Sequence, residues 1–453
     1  MEWEAIEKRL NDLLEKGRHG ELRGAMMMLN EVDIAQYMEH LDKDKLLLVF
    51  RILPKDISAD VFSYMSAEQK QTLIESIGDQ EISTLIDDMF LDDAVDFLEE
   101  LPASVVKRVL QSATPEKRNL INQFLRYPEN SAGSLMTIEY LEFRSEDTVR
   151  EAMEIIRREG LDKETIYTLY IIDQTHHLIG TLALRKMILA SEDTVLSALM
   201  DRNVVFVHTL DDQEQVAELV RHYDLMAIPV VDKEERLVGI ITADDIMDVI
   251  EEETTEDFEK MAALTPSDDE YLKTSPFKLA LNRIPWLLLM AVIAIFTGMI
   301  ITYYEDVLSA NAAVGIILTA CIPMLMDTGG NCGAQSSTLV IRGLSLGQIT
   351  LKDFFKALWK EFRVAMIVGT VLFAFTLVRV HFVNGATWPV SFVVAAALLC
   401  TIVLAKALGC AMPMLAKRLG LDPALMASPL ITTVVDMSSL FIYFTIAKAV
   451  LKI

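Results

Sequence analysis

An apolar run, Ala312 to Ile322, passes without a break into Pro-Met-Leu-Met-Asp-Thr-Gly-Gly-Asn-Cys-Gly-Ala-Gln-Ser-Ser-Thr-Leu-Val-Ile-Arg-Gly over residues 323–343. The apolar part reads as a membrane helix, and the polar part continuing it limits what the chain can fold into. Asp327, Asn331 and Gln335 are expensive in lipid, so at that depth they should face a protein-lined, water-filled path. Gly329, Gly330 and Gly333 would either let backbones approach closely or leave carbonyls free to face an ion. The stretch reads as the wall of a hydrophilic pathway whose polar ligands are all oxygen or amide.

The 453 residues suffice for about three domains. Charge is divided unevenly: residues 276–453 hold 13 basic and 7 acidic side chains, which leaves 28 basic and 59 acidic among the preceding 275. A mildly basic membrane part therefore carries a strongly acidic soluble part. That balance argues against nucleic acid, whose phosphates need a basic footprint, and permits cation binding. All four cysteines, Cys321, Cys332, Cys400 and Cys410, lie in the apolar half without metal-finger spacing. A cysteine-free soluble half needs neither disulfides nor structural zinc, which suits the cytosol. Met1–Arg9 alternates charge around no apolar core, so no cleavable signal peptide is expected.

Besides the segment from Ala312, apolar segments lie near 284–304, 364–382, 390–412 and 429–451, each long enough to span a bilayer. Five spans put the termini on opposite sides. The loop after the second span carries Arg342, Lys352, Lys356, Lys360 and Arg363, and the loop after the fourth carries Lys417 and Arg418. The loop after the first, Tyr304-Glu305-Asp306, is acidic. An N-terminus in the cytoplasm and a C-terminus outside follow from that bias. In the last span Thr432 and Asp436 are four apart and Thr433 and Asp436 three apart, so one face presents a carboxylate above hydroxyls. Pro429 would free carbonyls to point inward as well. Asp436 and Asp327 are the functional candidates; Asn331 and Gln335 fit helix–helix hydrogen bonding equally well. Carboxylate, carbonyl, hydroxyl and water suit magnesium, calcium or manganese rather than zinc or copper. Magnesium keeps most of its waters and needs only one or two carboxylates, which fits so sparse a site best.

Two segments repeat at an offset of 59 residues. Tyr170-Ile171-Ile172-Asp173 precedes Leu178-Ile179-Gly180-Thr181-Leu182, and Pro229-Val230-Val231-Asp232 precedes Leu237-Val238-Gly239-Ile240-Ile241. Each copy reads as two short strands around a turn followed by a helix, with Gly180 and Gly239 as turn glycines. Leu135-Met136-Thr137 and Leu199-Met200-Asp201 would open the two units. The pattern looks like a tandem pair of CBS domains, small α/β modules, over 131–255.

Residues 1–130, with breaks at Leu53-Pro54, Leu101-Pro102 and Thr114-Pro115, read as an all-α superhelix of short helical hairpins. Asp88, Asp92 and Asp96 recur there every four residues. A second acidic row runs through Asp244, Asp245, Asp248, Glu251, Glu252, Glu253, Glu256, Asp257 and Glu259. It leads through Thr265-Pro266-Ser267-Asp268-Asp269 into a connecting helix over 256–280, ahead of a transmembrane domain over 281–453. Singly, each row reads as a solvated face. Beside a cation pathway the two read as a joint that divalent ions close and mutual repulsion opens.

These residues resemble the MgtE family of magnesium transporters and channels over nearly the whole chain. Gly329-Gly330-Asn331-Cys332-Gly333-Ala334-Gln335-Ser336-Ser337-Thr338 with Ile341-Arg342-Gly343 carries the resemblance. So do Leu421-Asp422-Pro423-Ala424 and Pro429-Leu430-Ile431-Thr432-Thr433-Val434-Val435-Asp436. The resemblance implies a homodimer with one pore on the twofold axis, where Asp436 of each subunit holds a largely hydrated magnesium ion. It implies sensor ligands at Asp92 and Asp96, at Asp212, Glu214 and Asp224, at Asp245, Asp248, Glu253, Glu256 and Asp257, and at Asp422. It also admits a nucleotide at the CBS pair.

The expected function is a magnesium-gated importer driven by the membrane potential, which supplies about 4.6 kcal/mol per 100 mV to a divalent ion. A secondary exchanger of manganese, cobalt or magnesium would show similar buried polar residues, and need of a counter-ion gradient separates the two. A membrane-anchored CBS sensor would not bury Asp327, Asn331, Gln335 and Asp436. Neither a phosphate loop nor a nucleophile–base pair is visible, so pump and enzyme are not expected.

Overall fold

The structure, a computed structural model, describes residues 2–99, 101–267, 271–272, 274–309, 311–426 and 428–451. Asp268 and Asp269 lie outside the described residues. The chain divides into two compact units, Met1–Ile250 and Glu251–Ile453.

The first unit opens with a run of short helices from Glu2–Glu15 to Pro115–Phe124. Their ends are written locally. Pro54 and Pro102 occupy N-cap positions, and Pro115 stands at the first helical residue behind the cap Thr114. Asp42 accepts from the Lys45 N–H at 3.0 Å, capping another. From Glu31–Glu39 onward helices pack on the one two further along, Glu31–Glu39 on Lys55–Ser63 and Lys55–Ser63 on Asp79–Asp88. This is the expected superhelix.

Two three-stranded sheets follow, β1 (Glu142–Arg144), β2 (Thr168–Ile172) and β3 (Leu178–Ala183), then β4 (Val207–His208), β5 (Ala227–Val231) and β6 (Leu237–Thr242). In each, a parallel pair is followed by an antiparallel hairpin. The repeat has a cause in the hairpin turns. Asp173 accepts from the N–H groups of Thr175 and His177 at 2.7 and 3.0 Å, and Asp232 from those of Glu234 and Arg236 at 2.8 and 2.9 Å. His176 and Glu235 both take left-handed φ, 65° and 60°.

Gly180 and Gly239 are not turn residues; they lie inside β3 and β6. A Cβ there would stand 2.7 Å from Met200 Sδ and from Met136 Sδ, respectively, so close approach is what requires glycine. The methionines also correct the boundaries. Thr137 bridges to Ile240 of the second sheet and Asp201 to Thr181 of the first, so each opening segment serves the other unit. Through this crossing one hydrophobic core runs from the helical domain, by Ala132 and Met136, into Val207, Ile228 and Ile246 of the second CBS unit.

The connecting helix expected over 256–280 is not one helix. Its first residues are the end of the helix Ala243–Met261, which starts directly after β6. There Ala263 takes a left-handed φ of 55° and the Leu264 N–H bonds back to the Glu259 carbonyl at 2.9 Å, which stops the helix. The next helix starts at Pro276, capped by Ser275.

Five long apolar helices form the rest of the second unit: Pro276–Tyr303, Ala312–Ser345, Phe354–Phe382, Trp388–Arg418 and Ser428–Leu451. They are called spans one to five. The third starts ten residues before the expected 364 because Phe354–Arg363 is amphipathic rather than apolar, so hydropathy alone misses it. Span one has no buried residue. Spans two, four and five pack by small residues: a Cβ on Gly409 would lie 2.3 Å from the Gly333 carbonyl oxygen.

Candidate functional site

Span two is an unbroken helix through Gly329, Gly330 and Gly333. A backbone in lipid has no water to bond with, so the ladder is kept and these carbonyls are not released toward an ion. Gly329 and Gly330 therefore pack rather than line a path. Cβ atoms on them would meet Val435 Cγ1 and Thr432 Cγ2, both at 2.9 Å. Small residues thus bring span five against span two at the level of Asp436, within electrostatic range of Asp327.

Beside the glycines Asp327, Asn331 and Gln335 recur every four residues, all exposed, while Gly330, Cys332, Ser336 and Ser337 are buried. A carboxylate and two amides form a stripe along span two that its own bundle leaves uncovered. Thr432 and Thr433 donate their hydroxyls to the Pro429 carbonyl at 2.9 and 2.8 Å. Pro429 is the second residue of the helix Ser428–Leu451, where an N–H has no partner within the helix, so no ladder carbonyl is freed; the threonine lone pairs remain to accept water or a cation. Hard oxygens, two carboxylates and amides in one band suit a hydrated divalent cation.

A second cluster lies in the first unit. The expected row Asp88–Asp92–Asp96 is broken: Asp88 ends one helix, Asp79–Asp88, and Asp92 and Asp96 sit on the next, Leu91–Glu99. Asp92 is buried, 8% exposed. Burial pushes its carboxyl well above the usual carboxylate range, and Asp245, Asp93 and Glu164 push it further. Loss of hydration with Glu99, Asp245 and Asp93 nearby raises Asp96, at the rim, to about 7. Desolvation, Asp245 and Asp93 raise Glu164 to about 7. Asp245 reaches about 6 by desolvation and its acidic neighbours, although Thr242 donates to it at 2.5 Å. The helical domain and the two CBS units thus meet across carboxylates that resist ionising together. Asp93, Asp244 and Glu164 were not singled out as ligands from sequence. The first two sit beside named residues, but Glu164 gives no signal at all.

These carboxyls bind protons more tightly folded than unfolded, so the penalty for ionising them is present above about 7 and gone below about 4. In metal-free buffer the melting temperature of the protein should therefore rise by about 2 °C or more as pH falls from about 8 to about 6. Magnesium at the higher pH should raise it likewise, and Asp245→Asn should blunt both responses. A melting temperature that falls or stays level over this window would refute the cluster's repulsion.

The other expected sensor ligands are dispersed. Asp212 caps the helix Gln213–Tyr223 and accepts from the Glu214 N–H at 3.0 Å, while Asp224 ends the same helix in a left-handed conformation. Some 16 Å of helix separates them, so Asp224 shares no site with Asp212 and Glu214. Asp248 and Glu253 stand on the long helix Ala243–Met261. In the second unit, Lys260 donates to Glu256 and to Asp422, both at 2.7 Å. Beside them desolvation and Asp422 push Asp257 up to about 6. An ammonium thus already bridges two of the expected ligands. Among the described residues no three Asp, Glu, His or Cys side chains converge to hold a bare ion. A hydrated magnesium held by one or two carboxylates needs no such cage.

The MgtE divalent cation transporter family model matches residues 322–446, the MgtE intracellular N domain model residues 29–130, and a CBS domain model residues 196–252. The chain is 35% identical to the magnesium transporter MgtE of Thermus thermophilus over 447 residues, 98% of each protein. It is 31% identical to that of Bacillus subtilis, over 99% of this chain and 98% of that one. A crystal structure of the cytosolic domain of the Mg2+ channel MgtE in complex with ATP aligns with a TM-score of 0.51 and 35% identity, covering 53% of this chain and 98% of that one. Matched nearly end to end by such relatives, and folded as a helical domain, a CBS pair and five spans, this multi-pass membrane chain belongs to the MgtE family of magnesium transporters.

Proposed function

We propose that the protein is a channel-like magnesium importer, driven by the membrane potential and closed by magnesium on its cytoplasmic side. The observation that carries this is the exposed stripe Asp327–Asn331–Gln335 running beside Asp436 along otherwise apolar spans. Such a stripe is tolerable in a bilayer only against water or a second protein surface. A homodimer meets both needs, with the two stripes facing across a twofold axis and Asp436 of each subunit holding one hydrated ion. The loop charges favour a cytoplasmic N-terminus, a C-terminus outside, and residence in the cell membrane.

The acidic cluster around Asp92, Asp96, Glu164 and Asp245 supports the gate. Cations there offset a repulsion that otherwise drives the helical domain from the CBS pair. Asp257 and Asp422 supply a second candidate sensor position, and Asp212, Glu214, Asp224, Asp248 and Glu253 remain candidates singly. The ATP complex of the related cytosolic domain supports a nucleotide at the CBS pair here.

The test is magnesium uptake into liposomes clamped at set potentials, with magnesium varied on the cytoplasmic face. Uptake that follows the potential, needs no counter-ion gradient and is suppressed from the cytoplasmic face is expected. A flux that requires a gradient of another ion would replace the channel by an exchanger.

A further inference from the structure

Away from the stripe, the membrane unit holds a lysine with almost no access to solvent. Lys406, in the middle of span four, is 5% exposed. Its Nζ stands 3.6 Å from Oε2 of Glu361 on span three. Ser336 of span two lies between them: it donates to Glu361 Oε2 at 2.6 Å and accepts from Lys406 Nζ at 3.1 Å. Three spans therefore meet at one neutral, hydrogen-bonded charge pair. One turn further along span four, Gly409 touches the Gly333 carbonyl, so the backbones of spans two and four are in contact at this level.

We propose that Lys406 and Glu361 are positioning residues for ion passage, which set the rotation of span two by gripping Ser336. Ser336 and Gln335 are adjacent, about 100° apart around a helix. Holding Ser336 against the pair fixes Gln335, and with it Asn331 and Asp327, on the uncovered face. The pair suits this task better than an apolar contact, because a lone charge left in such surroundings is very costly while its partnered state is neutral. Loss of either partner strands the other, and water along the stripe is the place where the stranded charge can be hydrated. Span two would turn or shift to allow it. This inference rests on the stripe lining a water-filled path, as proposed above.

The test measures labelling of Gln335→Cys by a small cationic thiol reagent that does not cross lipid, in the reconstituted full chain. The unmodified chain, with its four native cysteines, provides the blank. Lys406→Met and Glu361→Gln should each slow labelling about fivefold or more per folded molecule, and the double variant should restore it to within about twofold, the non-additivity expected of coupled partners. Uptake should follow the same order. Labelling unchanged in both single variants would overturn the proposal, even if their melting temperatures fall, because the pair would then only add stability. So would a double variant as impaired as the singles. No labelling in the otherwise unmodified Gln335→Cys chain would overturn the water-filled path itself, and this proposal with it.

Discussion

Replacing Asp436 with alanine should reduce magnesium uptake at least a hundredfold while leaving the protein folded and membrane-inserted. Asp436 is the one acidic residue of span five, on the face one turn above Thr432. A divalent ion entering a region of low dielectric loses favourable hydration, and a fixed carboxylate is the strongest compensation the chain offers there. Losing about 3 kcal/mol of that compensation corresponds to a hundredfold in rate, at 1.36 kcal/mol per tenfold. Folding should survive because the contacts that hold span five come from Val435 and Ile431 against the span-two glycines, not from the carboxylate. Asp436→Asn is expected to fall between, retaining an oxygen dipole without its charge. Uptake in potential-clamped liposomes, normalised to protein of unchanged elution volume, decides the matter. Near-wild-type flux in Asp436→Ala would remove the ion path from this face.

Much of this organisation was legible because it is local. Turn aspartates, helix-capping prolines and long apolar runs act over a few residues, so the superhelix, both hairpins and the five spans could be read from sequence. Three features needed the fold. The polar stretch of span two left close packing and freed glycine carbonyls open, and only the fold selects packing: in lipid the helix stays whole and the glycines seat Thr432 and Val435. The crossed segments at Thr137 and Asp201 depend on pairing about 100 and 20 residues away, respectively, which periodicity does not report. Lys406 is a single charge in an apolar run and Glu361, 45 residues before it, is one of several charges in an amphipathic stretch, and only packing brings the two to one serine. The acidic cluster lies between these cases. Its rows were visible, but the break at Met89 removed Asp88 from the row, and Glu164 joined through a loop with no distinguishing pattern.

That cluster carries the second large effect. With Asp92 and Asp96 both changed to alanine, the pore should stay conducting at cytoplasmic magnesium that shuts the wild type, with flux there about tenfold higher or more, equivalent to about 1.4 kcal/mol of lost closing energy. Two effects compete. Alanine removes two carboxylates from a site where ionised groups repel, which by itself would favour the closed joint. It also removes from the helical domain the oxygens that a bridging cation needs. The loss of bridging should win, because Asp93, Asp244, Asp245 and Glu164 remain and still oppose one another. With Asp93 alone left on the helical side, its carboxylate already taken up by Ser63, a cation gives the closed state little advantage over the open one, and a ligand without differential affinity shifts no equilibrium. Asp93→Asn should act more weakly, since Ser63 already donates to that carboxylate at 2.9 Å and offsets part of its charge. Flux measured against cytoplasmic magnesium separates the outcomes: a flat, high curve supports the gate. A flat, low curve would mean that repulsion outweighs cation bridging and that the carboxylates serve to open the joint rather than to hold the cation that closes it. An unchanged curve would place the sensor elsewhere, with Asp257 and Asp422 beside Lys260 the next to replace.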